Sequence, residues 1–342
     1  MSTTTYDARG GMRNVWIITA AMTVLAICYT MIIPFLPIYL LELGVPKADV
    51  ALWSGLVFGI TFLIAGIMAP IWGKIADNKG KKRMALRAGF GIAVCYVLIG
   101  LVTDQYQLLM GRALVGFANG FYPAAMTMVS LSVDEKQVGR ALGIFQTGLI
   151  LGNVIGPFLG GAVESVVGMR PVFYVSGIVV FIATLAVLFF VKEPKLHAVD
   201  ANGKEQSAHH TKSTSLREDF KAVQQQPVLV RLLWIFFMQC AIMMLQPILA
   251  LYVGDMQGTM EGAAIISGTI LSIGGLAGSL TTNLWVRLGE RRGYFKTISY
   301  CMMGSGVVLL LQSLPVGIWW FGVLQVLIGS CIVGINPSLS AA

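Results

Sequence analysis

The residue in this sequence that could most clearly carry chemistry is Arg112, because it interrupts an apolar segment. It lies in LLMGRALVGFANGF, and the nearest acidic residue, Asp104, comes eight residues earlier. A cation at the centre of a lipid bilayer costs about 2.5–3.5 kcal/mol on insertion scales, so it normally faces a cavity or a partner. We expect an inward, functional position for Arg112. The alternative is that its side chain extends to the outer interface from the end of its helix.

Acidic residues that could carry a proton lie in loops and near helix ends. A group that relays protons through a membrane must alternate between a charged and a neutral form. Asp77, which stands among five cations in GKIADNKGKKRM, and Glu164 are the nearest candidates, although neither lies deep in an apolar segment. The remaining acids near predicted span ends are Glu42, Asp49, Asp104, Asp255 and Glu261.

The elements that position these residues must be membrane-spanning helices. Of the 342 residues, 56% are hydrophobic and 12% are charged, whereas a soluble domain carries about 25% charged residues. A helix needs about 20 apolar residues to cross the hydrocarbon core. A last apolar segment, 297–342, is long enough for two helices and is divided at Pro315 and Gly317. The other predicted spans are 14–41, 50–73, 88–103, 113–133, 141–163, 171–191, 232–254 and 262–286. The predicted fold is therefore an all-α integral membrane bundle of ten helices.

The positive charge is distributed as a topology signal. The formal net charge is +8, yet the segments on one side of the predicted spans hold only Lys47 and Arg170 as cations. Lys and Arg accumulate on the cytoplasmic side of membrane proteins. We therefore expect a multi-pass protein of the cytoplasmic membrane, with a cytoplasmic N-terminus and lipid as a partner, and no binding of nucleic acid. All five cysteines lie in apolar segments, and no metal or cofactor is expected.

The chain is organised as two bundles joined by a linker. Residues 192–230 are polar and suit a flexible cytoplasmic linker. They separate an N-terminal six-helix bundle (1–191) from a C-terminal bundle of four helices (231–342). Similar residues recur 213 positions apart in the pairs Pro34/Pro247, Tyr39/Tyr252, Trp72/Trp285, Asp77/Glu290, Gly80/Gly293 and Gly116/Gly329. Because six helices return the chain to its starting side, the two repeats must be parallel.

The same spacing predicts that the second repeat is incomplete. The last residue, Ala342, corresponds to Val129, at the end of the fourth predicted span. Counterparts of helices five and six are missing. We expect either a fragment of a longer protein or a bundle that is two helices short.

Three motifs resemble the major facilitator superfamily. Gly73-Lys-Ile-Ala-Asp77-Asn-Lys-Gly80 is similar to its loop between helices two and three. LLMGRALVGFANGFYPAA (108–125) resembles the helix-four motif of its drug:proton antiporter branch, and GLILGNVIGPFLGG (148–161) resembles the helix-five motif of that branch. WSGLVFGITFLIAGIMAPIWG and PILALYV look close to bacterial multidrug-resistance members.

The resemblance implies a conformational switch and a proton-coupling site. The loop would latch the two halves on the cytoplasmic side, with Asp77 facing the start of an eleventh helix, and Arg112 would take part in proton coupling. The glycines of the loop are expected to allow unusual backbone conformations and close approach. Small residues four apart on helix five would form a smooth pivot face, and a proline would kink it. The residues assigned to coupling and switching are Gly73, Asp77, Gly80, Arg112, Gly152, Gly156, Pro157 and Gly160.

Candidate cavity residues are neutral and adaptable. Methionine and aromatic side chains that repack suit promiscuous apolar binding, and buried amides seek hydrogen-bond partners. Each aromatic could equally face lipid or a neighbouring helix. The candidates are Tyr29, Phe35, Asn119, Tyr122, Gln146, Asn153, Met243 and Gln246, together with Tyr39 and Met244.

These features and the resemblance predict a monomeric secondary transporter that exports amphipathic drugs or related small molecules by alternating access, and the resemblance implies that it does so in exchange for protons. Two alternatives remain open: a facilitator or importer of a small metabolite, and a truncated membrane protein that does not transport. The sequence contains no nucleophile–base pair, metal cluster or phosphate loop, so we do not expect an enzyme.

Overall fold

The first repeat consists of six apolar spans, as predicted. The computed structural model describes residues 8–193, 197–199, 205–207, 236, 240, 243, 246–259, 262–314 and 317–332. The helices of the first repeat are α1 (Ala8–Thr30), α2 (Leu36–Glu42), α3 (Lys47–Lys79), α4 (Lys81–Gly100), α5 (Gln105–Ala118), α6 (Phe121–Leu131), α7 (Glu135–Val167) and α8 (Met169–Phe190). Two of the spans are interrupted, since a 3-10 helix (Ile33–Phe35) joins α1 to α2 and a short break separates α5 from α6.

The described part of the second repeat follows the same order. Residues 236, 240 and 243 are helical, and a 3-10 helix (Gln246–Ile248) leads into the next four helices. These are α9 (Leu249–Gln257), α10 (Ala263–Arg292), α11 (Tyr294–Gln312) and α12 (Ile318–Ile332). Within the described residues, seven helical segments are long and apolar enough to cross a membrane. The predicted α-helical membrane fold is therefore confirmed.

The polar segment predicted as a linker contains a short hairpin. Strands β1 (His197–Val199) and β2 (Glu205–Ser207) pair in antiparallel register. Lys192 and Glu193 are also described, and most of the remaining segment up to residue 230 lies outside the described residues. Pro315, expected to divide the last apolar segment, also lies outside them, whereas Gly317 directly precedes α12.

Each repeat contains the same hydrogen bonds at equivalent positions, in addition to the equivalent residues. The Tyr39 hydroxyl donates to the Ile99 carbonyl at 2.9 Å, and the Tyr252 hydroxyl donates to the Gln312 carbonyl at 3.2 Å. The Trp72 indole donates to Phe117 at 2.9 Å, and the Trp285 indole donates to Ser330 at 2.5 Å. In both cases donor and acceptor are each displaced by 213 positions. Equivalent bonds at one spacing confirm the internal duplication.

Backbone geometry repeats at the same spacing. Gly80, between α3 and α4, has φ 97° and ψ 143°, and Gly293, between α10 and α11, has φ 94° and ψ 138°. A side chain would strain a backbone with this φ, so glycine is needed at both turns. The 3-10 helices Ile33–Phe35 and Gln246–Ile248 are also 213 positions apart. Both repeats therefore break their first span with a proline-containing turn.

Packing between helices defines one core in each repeat and a contact between them. In the first repeat, α1 packs on α7, α3 on α5 and α4 on α8. In the second, α10 packs on α12, and it also packs on α7 of the first repeat. Large apolar side chains such as Phe189, Leu280 and Trp319 remain exposed on the outside of the bundle. An exposed apolar surface of this kind fits the hydrocarbon core of a membrane.

Candidate functional site

Arg112 lies inside the first repeat and does not extend to the interface. Its side chain is 0% exposed. Its Nε and both Nη atoms have no hydrogen-bond partner among the described residues. Helix α5, which carries it, packs on α3 and α4. A buried cation without a hydrogen-bonded partner is costly to the fold, so Arg112 is the strongest candidate for a functional residue.

Helix α5 carries Arg112 and is held close to α3. The Thr61 hydroxyl donates to the Arg112 carbonyl at 3.1 Å. One turn later, a Cβ at Gly116 would lie only 3.1 Å from the Ile64 Cβ, so no larger residue fits without displacing a helix. In the second repeat, Gln325 occupies the position that corresponds to Arg112, and it accepts a hydrogen bond from Gln312 at 2.9 Å. The cation therefore belongs to one repeat only, and its counterpart is neutral and paired.

The loop between α3 and α4 closes on its own repeat. The Asp77 carboxylate forms an ion pair with Lys81, and its side chain is 71% exposed. The Glu193 carboxylate lies beside the turn and accepts a hydrogen bond from the Lys82 backbone at 3.4 Å, while the Lys82 ammonium donates to the Leu188 carbonyl at 2.8 Å. Glu193, immediately after the apolar segment that forms α8, had no signal in the sequence beyond its charge. Contact of Asp77 with the eleventh membrane span that the resemblance implies, which is not the helix labelled α11, stays a prediction.

The two glycines of this loop differ in their structural role. Gly80 requires glycine through its positive φ, and a side chain there would also displace the flexible Glu193 carboxylate. Gly73 lies inside α3, and a Cβ there would meet nothing within 4 Å. The expectation that Gly73 provides an unusual conformation or close packing is therefore wrong for this conformation, because its backbone is helical and its surroundings are open.

The glycine stripe of α7 packs within the first repeat, which differs from the pivot expected from the sequence. Gly148, Gly152, Gly156 and Gly160 all face the segment from Thr19 to Phe35. A Cβ at Gly152 would lie 2.6 Å from the Ala26 Cβ, and the Thr30 hydroxyl donates to the Gly152 carbonyl at 3.3 Å. Small residues allow this close approach and expose carbonyls to hydroxyl donors. The stripe thus fixes α7 to α1.

The contact between the repeats uses the adjacent face of α7. A Cβ at Gly161 would lie 2.6 Å from the Ala264 carbonyl oxygen. A Cβ at Gly268 would meet the Pro157 carbonyl, so neither helix tolerates a side chain there. The Phe158 backbone N–H, next to that proline, donates to the Ser272 hydroxyl at 3.2 Å. Pro157 and Gly161 belong to the motif seen in the sequence, whereas the α10 side was missed.

An ion pair joins the repeats beside this contact. The Lys47 ammonium lies 2.8 Å from the Asp255 carboxylate, and both side chains are exposed. Lys47 is the first residue of α3, and the Asp77 loop lies at the other end of this helix. The helix has 33 residues, so at 1.5 Å per residue the ion pair and the loop are about 50 Å apart. The described side-chain contacts between the repeats therefore lie toward the end of the bundle that is opposite the loop.

The candidate cavity residues fall into different environments. Tyr122 accepts a hydrogen bond from Gln146 at 3.0 Å, so this pair is brought together. The Asn119 amide oxygen accepts from the Gly120 backbone at 2.7 Å. Tyr29 is half-buried, and its ring packs edge-on against Phe62. These residues lie on three helices and a helix break of the first repeat.

The remaining candidates are not equally accessible. Phe35 and Tyr39 are fully buried, so neither lines an open cavity in this conformation. Asn153 is exposed, and Met243 and Gln246 are half-buried. Met244 lies outside the described residues. Their roles stay predictions.

Known proteins are similar to this chain in both sequence and fold. The family model described as "Major Facilitator Superfamily" matches residues 16–342. The chain is 34% identical to "Multidrug resistance protein MdtG" of Proteus mirabilis (strain HI4320), over 96% of this chain and 79% of that protein. It is 35% identical to the protein of the same name from Citrobacter koseri (strain ATCC BAA-895 / CDC 4225-83 / SGSC4696), over 91% of this chain and 75% of that protein.

Solved structures agree on the fold. A bacterial homolog of the human lysosomal transporter Spinster, in an inward-facing and unoccupied conformation, superposes with a TM-score of 0.73 at 18% identity, covering 97% of this chain and 75% of that one. The nucleoside transporter NupG superposes with a TM-score of 0.71 at 14% identity, covering 96% and 82%. The duplicated helices, the motifs and these matches lead to one conclusion: the chain belongs to the Major Facilitator Superfamily and is a membrane transporter rather than an enzyme.

Proposed function

We propose that this protein exports amphipathic drugs or related small molecules across the cytoplasmic membrane, in exchange for protons. The names of its relatives, which are multidrug resistance proteins, support the substrate class. The neutral, partly aromatic candidates of the first repeat support it as well, because such side chains adapt to varied apolar ligands. In this proposal, residues 1–191 and 231–342 form the two moving bundles of a monomer and residues 192–230 connect them in the cytoplasm, where the N-terminus also lies.

The observation that carries the proposal is the position of the contact between the repeats. The Gly161–Ala264 approach and the Lys47–Asp255 ion pair lie at one end of the bundle. The Asp77 loop, at the other end, pairs within its own repeat. Rigid halves can rock about a central pathway, so that this contact opens as the other end closes and the pathway is exposed to each side in turn. With the N-terminus in the cytoplasm, this conformation is closed on the outside.

Arg112 is proposed to couple this motion to protons. It is buried and lacks a hydrogen-bond partner among the described residues. An ionisable residue inside a membrane marks an ion or substrate pathway by default. Its charge would disfavour a second cation nearby and favour the charged form of a carboxylate or another anion. Binding and release of a proton elsewhere in the pathway would therefore depend on the position of Arg112.

A transport assay tests the proposal directly. The chain is reconstituted into vesicles with a pH gradient, and transport of ethidium is followed by fluorescence, with and without a protonophore. We expect accumulation against the ethidium gradient that the protonophore abolishes. Arg112→Ala should abolish accumulation, whereas Gly139→Ala should not, because a Cβ at Gly139 meets nothing within 4 Å. Transport that only equalises concentrations would indicate the facilitator, and absence of any transport would refute export.

A further inference from the structure

The fourth span is broken inside the membrane, and its exposed carbonyls are capped by side chains from other helices. Helix α5 ends at Ala118 and α6 begins at Phe121, with Gly120 at φ 127° between them. The last carbonyls of a helix have no partner within it. In a bilayer, such groups must be satisfied by protein. The structure therefore needs donors at this point that the backbone itself does not provide.

Two side chains supply these donors. The Arg87 guanidinium, from α4, donates through Nη2 to the Asn119 carbonyl at 2.9 Å and to the Ala118 carbonyl at 3.3 Å. The Trp72 indole, from α3, donates to the Phe117 carbonyl at 2.9 Å. Three consecutive carbonyls are thus capped by two neighbouring helices.

The two donors also contact each other. The Arg87 Cζ lies 3.6 Å from the centroid of the Trp72 ring, which is a close cation–π contact. A cation at a helix C-terminus also interacts favourably with the helix dipole. The ion pairs of the described residues, Lys47–Asp255 and Lys81–Asp77, do not involve this guanidinium. Its charge is therefore balanced by carbonyl oxygens and an aromatic face.

The second repeat has the tryptophan but not the arginine. Trp285 donates to the Ser330 carbonyl, as Trp72 does to Phe117. Tyr300, 213 positions after Arg87, is 47% exposed. The Ser330 carbonyl also accepts from the Thr281 hydroxyl at 3.3 Å. Among the described residues, the guanidinium contact belongs to the first repeat. That repeat also contains the buried Arg112.

The residues beyond the break are cavity candidates. Asn119 lies in the break itself, where its amide oxygen accepts from the Gly120 backbone, and Tyr122 in the first turn of α6 bonds to Gln146. A Cβ at Gly120 would lie 3.4 Å from the Arg87 Nη2. The guanidinium therefore contacts the turn that sets the direction of α6.

We propose that Arg87, stacked on Trp72, is a positioning residue that fixes the end of α5, so that the break presents Asn119 and α6 presents Tyr122 to the transported molecule. The proposal deepens the export function and rests on it. It assigns to Arg87 no contact with the transported molecule and no part in proton transfer. Loss of the guanidinium frees two carbonyls and loosens the first turn of α6, while the rest of α4 and α5 stays packed.

Hydrogen–deuterium exchange of the full chain in lipid nanodiscs tests the positioning without any substrate. In Arg87→Gln, we expect amides of residues 119–126 to exchange about tenfold faster, since hydrogen bonds from a charged donor are lost. Arg87→Lys, which keeps the cation over the ring, should restore part of the protection. Amides of 88–100 should be unchanged, and Trp285→Phe, which removes the equivalent indole donor from the second repeat, should leave 119–126 unchanged.

Binding of rhodamine 6G, measured by fluorescence polarisation, then connects the break to function. We expect Arg87→Gln to raise the Kd about threefold to tenfold and Arg87→Lys to recover most of it. Unchanged exchange in 119–126, or an equal rise throughout 88–118, would overturn the positioning role. If wild-type protein neither binds nor transports rhodamine 6G, the export proposal fails, and the exchange data still decide whether Arg87 positions α6.

Discussion

A methyl group at the contact between the repeats should displace the conformational equilibrium. In Gly161→Ala, the new Cβ would lie 2.6 Å from the Ala264 carbonyl oxygen and 2.8 Å from the Ile265 Cα. Ordinary contact begins at 3.4 Å, so α7 and α10 would have to separate by roughly 0.8 Å. Overpacking of this kind costs about 1–3 kcal/mol.

That cost applies to the conformation in which the two helices touch. If the repeats separate here during transport, the cost falls on the closed form alone. Since about 1.4 kcal/mol is a factor of ten in an equilibrium constant, the closed population should fall by about fivefold to 150-fold relative to the open one. A static contact would instead give a loss of overall stability without a shift between conformations.

Cross-linking at the nearby ion pair measures this population. Lys47→Cys and Asp255→Cys replace the two side chains of this ion pair, in a background with the native cysteines changed to alanine, and a bifunctional maleimide as long as the replaced side chains joins the two thiols. We expect Gly161→Ala to lower the rate of this cross-linking, and the matched variant Gly139→Ala, in the same helix with nothing within 4 Å, to leave it unchanged. Equal rates in both variants would refute the reasoning that this contact opens.

Three further outcomes follow from the described contacts. Arg112→Met should raise the free energy of unfolding by about 1–3 kcal/mol, because it removes a buried, unsatisfied group, and should abolish gradient-driven efflux; a thermal shift assay and dye efflux measure the two effects. Lys47→Ala should change stability by less than about 1 kcal/mol, since exposed ion pairs contribute little, as thermal unfolding can verify. Tyr39→Phe should lower stability by about 0.5–1.5 kcal/mol through loss of its buried hydrogen bond, and Tyr252→Phe, in the less buried equivalent, by a smaller amount in the same assay.

The sequence predicted the fold because membrane spans leave a strong composition signal. Uninterrupted apolar segments marked the helices, and matches 213 positions apart marked the repeats. The pairs Tyr39/Tyr252 and Trp72/Trp285 were found by comparing the sequences of the two repeats. The structure adds that both members of a pair donate to equivalent carbonyls, each in its own repeat. Residues that make the same contact in both copies are under the same physical constraint, which is why their spacing was informative.

The site was harder to predict, because its geometry depends on which faces of the helices meet. The spacing of the α7 glycines predicted a smooth face, but it could not show that α1, rather than the second repeat, covers that face. Gly268 and Ser272 were missed because isolated small residues are common in membrane helices. Arg87 was also missed, since nothing in the local sequence shows that a guanidinium will reach the end of another helix.

The burial of Arg112 also has a consequence for how the chain enters the membrane. The span that contains it, Gln105–Leu131, has a mean hydropathy of 1.2, the lowest of the seven candidate spans in the described residues. An arginine at the centre of a span costs about 2.5–3.5 kcal/mol on translocon-insertion scales. The helices on which α5 packs, α3 and α4, are synthesised earlier. The fourth span should therefore enter the bilayer efficiently only as part of a group with the second and third, so that its insertion depends on the order of synthesis.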